Sequence, residues 1–198
     1  MVKDGLRRWG PLALFLLLGL LGAALLALFN VSDPRTIVQR EAIKRLTSGS
    51  ALLKEGKLDG AIAEYRAALR LTPNDAKAHT QMAFALLNKG DFEGAVAECR
   101  VALRLAPDHA EAHINLGIAL YGKKDFDGAI AAFREGLRLN PSLAIVHYDL
   151  GRVFEDRGDA ATAADEFETY IRLTPDTPSD RPRIDDASNR ITVLRVPE

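Results

Sequence analysis

Hydrophobic positions divide the chain into two unlike parts. Residues 11–29 form an apolar run without a charged side chain, whereas the following residues place apolar side chains at helical spacing among charged ones. A helix over this run would cover about 28 Å, close to the ~30 Å hydrocarbon core of a bilayer. A secretory signal peptide is the alternative, but its apolar region is usually shorter and ends in a small-x-small cleavage site. We predict a retained transmembrane anchor behind a short tail of residues 1–10.

Basic residues on both sides of the run bear on its orientation. Lys3, Arg7 and Arg8 precede it, and four Lys or Arg residues follow it between positions 35 and 45. Lys and Arg near the ends of a span set its orientation. The two basic residues closest to the run are Arg7 and Arg8, which favours an N-terminus inside and the remaining chain outside.

A fixed period of 34 residues then runs through residues 42–175. Each interval ends in Arg-Leu, one variable residue and proline, and three further registers hold small residues, alanines and mostly aromatic residues. These registers are Pro73, Pro107, Pro141 and Pro175; Gly49, Ala83, Gly117 and Gly151; Ala61, Ala95, Ala129 and Ala163; and Tyr65, Cys99, Phe133 and Phe167. Such a period indicates stacked copies of one small helical unit.

Each copy is predicted to contain two helices, as the third shows best. Asp108 is expected to cap a helix over residues 110–121, and Asp125 to cap a second over 126–139. Pro141 ends the second helix, because proline disfavours helical conformation in the residue before it. At the N-terminal end, Ser32 or Asp33 followed by Pro34 predicts a helix start.

These registers resemble the pattern of the tetratricopeptide repeat family, in which each unit carries a Leu-Gly pair followed by alanine, aromatic and proline positions. Leu116-Gly117 and Leu150-Gly151 match the pair, whereas Arg45 stands where the family prefers a bulky residue. The resemblance implies an all-α fold, a right-handed solenoid of four helix-turn-helix repeats. The expected segments are a linker or first-helix start over 30–41, repeats over 42–75, 76–109, 110–143 and 144–177, and a capping helix and tail over 178–198.

The capping helix is predicted from residues 182–194. Pro182 opens it, and its apolar positions are expected to cover the last repeat while its charged positions face water. The apolar positions are Ile184, Ala187, Ile191 and Leu194, and the charged ones are Arg183, Asp185, Asp186 and Arg190.

Composition and candidate chemistry argue against other classes of protein. The net charge is −1 with mixed signs, which lacks the basic footprint of a nucleic-acid binder. His79, His113 and His147 occupy one register, and neighbouring repeats are too far apart for such residues to share a metal ion. No grouping of residues suggests catalysis. We expect no enzyme activity, no metal, no cofactor and no small-molecule substrate.

The family resemblance implies that a protein partner binds the concave face, at positions two, five, nine and twelve of each first helix. Most of these positions are apolar here, which predicts an apolar or amphipathic ligand segment. The basic and asparagine-rich clamp that some members use for a C-terminal carboxylate is not matched. The predicted groove residues are Leu46, Leu53, Phe84, Leu87, Ile114, Ile118, Tyr121, Ile145, Tyr148 and Arg152.

Two functions remain open from the sequence. The first is a membrane-anchored scaffold, an adaptor or assembly factor for a membrane or envelope complex, as similar periplasmic members of the family imply. This would place the chain in a bacterial inner membrane with its repeats in the periplasm. The second is a permanent accessory subunit of a membrane complex, held partly through its span. Gly19, Ala23 and Ala27 form a small-residue stripe that would allow another helix to pack closely there.

Overall fold

The computed structural model describes residues 33–196, which form an all-α solenoid. Consecutive helices pack as antiparallel pairs, one pair per repeat, and each pair also contacts the next. Within the described range, no helix is both long and apolar enough to cross a bilayer; the run 11–29, with its stripe, lies outside that range. The helices are α1 (Pro34–Lys54), α2 (Leu58–Leu71), α3 (Ala76–Lys89), α4 (Phe92–Leu105), α5 (Ala110–Gly122), α6 (Phe126–Leu139), α7 (Ala144–Arg157), α8 (Ala160–Leu173) and α9 (Arg181–Leu194).

Aspartate side chains begin most of these helices. Asp33 accepts a hydrogen bond from the backbone N–H of Arg35 at the start of α1, as predicted. Asp125 accepts one from the N–H of Gly128 at the start of α6, also as predicted. The predicted cap by Asp108 is wrong: α5 begins after His109, whose side chain makes no capping hydrogen bond.

Close approach of the two helices in a repeat depends on one small residue. A Cβ atom at Gly117 would lie 2.7 Å from ring carbons of Phe133, and Gly49 and Gly151 face the aromatic rings of their own repeats in the same way. In the second repeat the equivalent residues are Ala83 and Cys99, both fully buried. The methyl group of Ala83 takes up space that glycine leaves free in the other repeats. The side chain of Cys99 is smaller than an aromatic ring and leaves room for that methyl group, which explains why this register holds a cysteine in the second repeat.

A second periodic contact links the paired helices through polar atoms. Nδ1 of His79 lies 2.6 Å from a carboxylate oxygen of Glu98, and Nδ1 of His147 lies 2.7 Å from Glu166. Arg45 occupies the same register in the first repeat and reaches Glu64 at 3.3 Å. This accounts for an arginine where the family prefers a bulky residue, since its partner carboxylate is supplied 19 residues later.

The last helix extends the stack. α9 packs on α8 much as α5 packs on α4, with Ala187 fully buried. Ile184, Ile191 and Leu194 pack against the core, as predicted for a capping helix. The prediction that all its charged residues face water is wrong, because Asp186 and Arg190 contact the fourth repeat.

Candidate partner-binding groove

The first helices of repeats one to three line an open pocket of about 540 Å³. Its apolar part contains Leu53 from α1, Leu58 from α2 and Phe84 from α3. Phe84 is 46% exposed, although it lies in the middle of a well-formed helix. A phenylalanine on a helix face that points away from the core has no folding role there, so this exposed ring marks a surface that suits an apolar ligand group.

Polar side chains surround this ring and are held in place by bonds to the protein. The hydroxyls of Ser50 and Tyr65 lie 3.1 Å apart. The amide nitrogen of Asn88 donates to the carbonyl oxygen of Phe84 at 2.7 Å, and that of buried Asn115 donates to the carbonyl of Thr80 at 3.4 Å. These bonds fix each amide in one orientation and leave its side-chain oxygen as an acceptor for a ligand N–H.

Charges at the pocket rim are mixed. Lys54 and Lys77 contribute two positive charges and Glu111 one negative charge. This balance does not provide the strong positive field that capture of a free carboxylate needs. The pocket therefore fits a segment with an apolar side chain and a hydrogen-bonding backbone better than it fits an acidic terminus.

The concave side of repeats three and four is chemically different. The hydroxyl of Tyr121 donates to Asp156 at 2.7 Å, and the guanidinium carbon of Arg152 lies 5.2 Å from the centre of the Tyr121 ring. Burial, together with the hydrogen bond to Asp156, raises the pKa of Tyr121 to about 12. Tyr121 and Arg152, both predicted groove residues, therefore already contact side chains of the neighbouring repeat.

Tyr148 was predicted to line the groove, and the structure places its half-buried side chain among residues of its own repeat and the last helix. Its ring packs edge-on against Phe167 and Tyr170, with centroid distances of 5.6 and 5.3 Å. Its hydroxyl donates to Asp186 of α9 at 2.6 Å. Because the capping helix supplies that carboxylate, Tyr148 is part of the packing within the fourth repeat and between that repeat and the capping helix.

Charged residues complete this C-terminal cluster. Arg190 of α9 bridges Asp186 at 2.7 Å and Glu155 at 2.6 Å. Asp149 lies nearby, and its burial raises its pKa to about 6, while Arg152 and Arg183 oppose that shift. The concave face is therefore divided into an open apolar part in repeats one to three and an internally satisfied polar part beyond it.

The ten predicted groove residues separate along the same division. Only Leu53 and Phe84 line the open pocket. Five aliphatic residues are half-buried and pack against the core, which holds the repeats together: Leu46, Leu87, Ile114, Ile118 and Ile145. Asn88 and Asn115 also line the pocket but were not among the predicted groove residues, because asparagine at a helical position indicates neither burial nor exposure by itself.

The stacked helix pairs and their groove define a helical-repeat protein of the kind that binds other proteins. Models of the tetratricopeptide repeat match residues 49–90, 80–144 and 114–178. The chain belongs to the tetratricopeptide repeat family. Proteins of this family generally mediate protein–protein interactions and scaffolding.

Solved structures share this fold. The MamA protein is 23% identical with a TM-score of 0.67, covering 79% of this chain and 81% of MamA. PilF of Pseudomonas aeruginosa is 26% identical with a TM-score of 0.66, covering 79% of this chain and 72% of PilF. The first repeat domain of Spaghetti (RPAP3), bound to an HSP90 peptide, is 22% identical with a TM-score of 0.58, covering 60% of this chain and 94% of that domain. Among curated proteins, no significant match is found.

Proposed function

We propose that this protein is a membrane-anchored scaffold that binds a partner protein in the open pocket of repeats one to three. The observation that carries the proposal is Phe84, which is 46% exposed beside Leu53 in a pocket of about 540 Å³. Burying an exposed aromatic ring contributes strongly to affinity, and ordered polar groups around it add specificity.

The ligand we expect is an extended or helical segment with an apolar residue that contacts Phe84. Its backbone N–H groups would bond to the side-chain oxygens of Asn88 and Asn115, whose nitrogens are already engaged within the protein. The peptide-bound domain of Spaghetti has the same fold, which supports binding of a short segment on this type of surface. We assign no carboxylate clamp, because the rim charges are mixed.

The apolar run supports an anchor, because residue 29 lies only four positions before Asp33, the N-cap of α1. A span over 11–29 would confine the groove to the membrane surface and raise its effective concentration for a membrane-bound partner. Arg7 and Arg8 favour a cytoplasmic N-terminus. The location this supports is a bacterial inner membrane with the repeats in the periplasm, where the scaffold would act as an adaptor or assembly factor.

The test is purification of the full-length protein from its native membrane in mild detergent, with bound proteins quantified by mass spectrometry. We expect Phe84→Ala to remove the partner, because that ring supplies the main apolar contact. Val193→Ala is the matched control, since Val193 is 71% exposed and lies in α9 away from the pocket. Retention of the partner by Phe84→Ala would refute docking in the groove.

The same experiment addresses the alternative of a permanent accessory subunit. Replacing Gly19, Ala23 and Ala27 with leucine would block close helix packing in the span. If those changes release a fixed-ratio partner while Phe84→Ala does not, the protein is a subunit held through its membrane segment.

A further inference from the structure

One edge of the solenoid carries the same two residues in every repeat. This is the edge where the second helices end, and we call it the junction edge. It consists of Arg70-Leu71, Arg104-Leu105, Arg138-Leu139 and Arg172-Leu173. Three of these leucines are exposed, Leu71 at 36%, Leu105 at 40% and Leu173 at 45%. A periodic row of exposed leucines beside arginines forms an amphipathic surface, in contrast to single apolar residues scattered over a surface.

The arginines of this edge are poorly neutralised by the protein itself. Arg70 and Arg104 make no ion pair with any residue between 33 and 196. Within the described part of the chain, Arg172 donates only to the hydroxyl of Thr169, at 3.4 Å. Arg138 differs, because it pairs with the carboxylate of Glu135 in its own helix at 2.7 Å.

The opposite edge shows that this is not a general property of the repeat. There a basic residue at the end of each first helix pairs with an acidic residue of the preceding repeat. The pairs are Lys89 with Asp59 at 2.6 Å, Lys123 with Glu93, and Arg157 with Asp127 at 3.2 Å. The two edges therefore differ in how their basic residues are paired. Asp75, Asp108 and Asp176 lie in the turns of the junction edge, but Arg70, Arg104 and Arg172 form no ion pair with them or with any other residue between 33 and 196, so their charges remain available to an external partner.

The junction edge is also where the chain reaches the solenoid from its N-terminal segment. The paired helices are antiparallel, so the second helices end beside the starts of the first helices. α1 begins eight residues before the position that corresponds to the start of α3 and projects about 12 Å past this edge. Gln39 of that projection lines a cavity with residues 72–77, Ala106 and His109 of the inter-repeat turns.

We propose that the junction edge binds the surface of an anionic bilayer. The arginine guanidinium groups would bond to lipid phosphates, and the leucines would enter the interface between headgroups and acyl chains. Arginine clusters close to a span bind anionic lipids in this way. The row of leucines, with no aromatic residue in that register for stacking on bases, favours lipid over nucleic acid.

This inference rests on the proposed anchor only for holding the edge near the membrane. Because the first eight residues of α1 project beyond the edge, contact requires α1 to lie inclined to the bilayer. The solenoid would then lie along the membrane with its concave face accessible from the side, and the docking pocket would be held in a fixed orientation.

The experiment uses the full chain reconstituted in vesicles of phosphatidylcholine alone or with 30% phosphatidylglycerol. A fluorescent maleimide is attached at Leu105→Cys, with Lys124→Cys at the opposite edge as the control. Cys99 is fully buried, so the introduced thiol reacts selectively. Quenchers attached to the lipid acyl chains report contact with the membrane. We expect quenching at position 105 in the anionic vesicles only, and none at position 124.

Charge reversal provides the second measurement. Arg70→Glu with Arg104→Glu should lower the ratio of protein with its junction edge on the membrane to protein with the edge in water by at least about 25-fold, taking roughly fivefold per arginine. Quenching at position 105 reports this ratio. The matched variant Lys57→Glu with Lys124→Glu makes the same change in net charge in the turns at the opposite edge, outside the docking pocket, and should leave the ratio unchanged. Equal quenching at both positions, or an equal response to both reversals, would overturn the proposal.

Flotation of the same samples distinguishes membrane binding through the anchor from membrane binding through the junction edge. A protein that floats with neutral vesicles but shows no quenching at position 105 in anionic ones has an anchor and no edge binding. A protein that floats only with anionic vesicles, and loses this on Arg70→Glu with Arg104→Glu, binds through the edge and lacks the anchor. Flotation with neither refutes both.

Discussion

The pairing of Gly117 with Phe133 leads to a quantitative prediction about stability. A Cβ atom at Gly117 would lie 2.7 Å from the Cδ1 and Cε1 atoms of Phe133, whereas carbon atoms normally approach to 3.5–4.0 Å. The ring would have to retreat by about 0.8 Å. Phe133 is fully buried, so this displacement has to pass to its neighbours.

The magnitude follows from two opposing effects. Overpacking of this kind costs about 1–3 kcal/mol, and alanine is about 1 kcal/mol more favourable than glycine inside a helix. Gly117→Ala alone should therefore reduce the free energy of unfolding by about 1 kcal/mol. In a Phe133→Cys background, which reproduces the residue found at Cys99, the clash is gone and Gly117→Ala should stabilise by about 1 kcal/mol.

The assay is urea unfolding of the full chain in mild detergent, followed by circular dichroism of the helices. The double-mutant cycle should give a coupling energy of about 2 kcal/mol between the two sites. Gly60→Ala is the matched control, because its Cβ would meet only the flexible end of Leu52 at 3.3 Å. The same effect of Gly117→Ala in both backgrounds would refute the idea that the ring requires glycine.

Three further predictions concern single side chains. Burial raises the pKa of Asp149 to about 6 from 3.8, because it disfavours the charged carboxylate in the folded state. The protonated side chain therefore makes its full contribution to stability below about pH 3.8, and this contribution is lost as pH rises through about 6. Asp149→Asn should therefore stabilise at pH 7 by up to about 3 kcal/mol and have no effect near pH 4, by urea unfolding at both pH values; a gain at both would contradict the burial argument. Asp125→Ala should cost about 1 kcal/mol because it removes a helix cap, whereas Asp108→Ala should cost almost nothing by the same assay; equal losses would show that Asp108 caps after all. Burial raises the pKa of the Cys99 thiol to about 12, so maleimide should label it at pH 8 only after unfolding, and labelling of the native protein would contradict its place in the core.

The repeat architecture was predictable from the sequence because its signals are local and recur four times. The 34-residue period placed the helix pairs, and turn residues placed most of the caps. The failed cap at Asp108 has a local cause too: α5 begins at Ala110, as predicted, but His109 directly precedes it and occupies the cap position without a side-chain hydrogen bond. The sequence alone does not show whether an aspartate or the histidine next to it occupies the N-cap position.

The candidate site was less predictable because it depends on contacts between repeats. Tyr148 and Phe84 are both aromatic residues at family groove positions, yet one bonds to Asp186 of the last helix and the other is open. The bond joins residues 38 positions apart, so it depends on how the capping helix packs on the fourth repeat. A period in the sequence shows which residues are equivalent but not how each copy meets its neighbour.

We propose that a partner contacts the open pocket around Phe84. The most direct measurement places a photo-activatable phenylalanine analogue at position 84 or, as control, at position 193, and crosslinks the full chain in its native membrane. We expect one dominant crosslinked protein from position 84, absent from position 193 and lost when Leu53→Asp is added. An associated partner that crosslinks at neither position, and that stays bound to the Phe84→Ala protein, would contradict it.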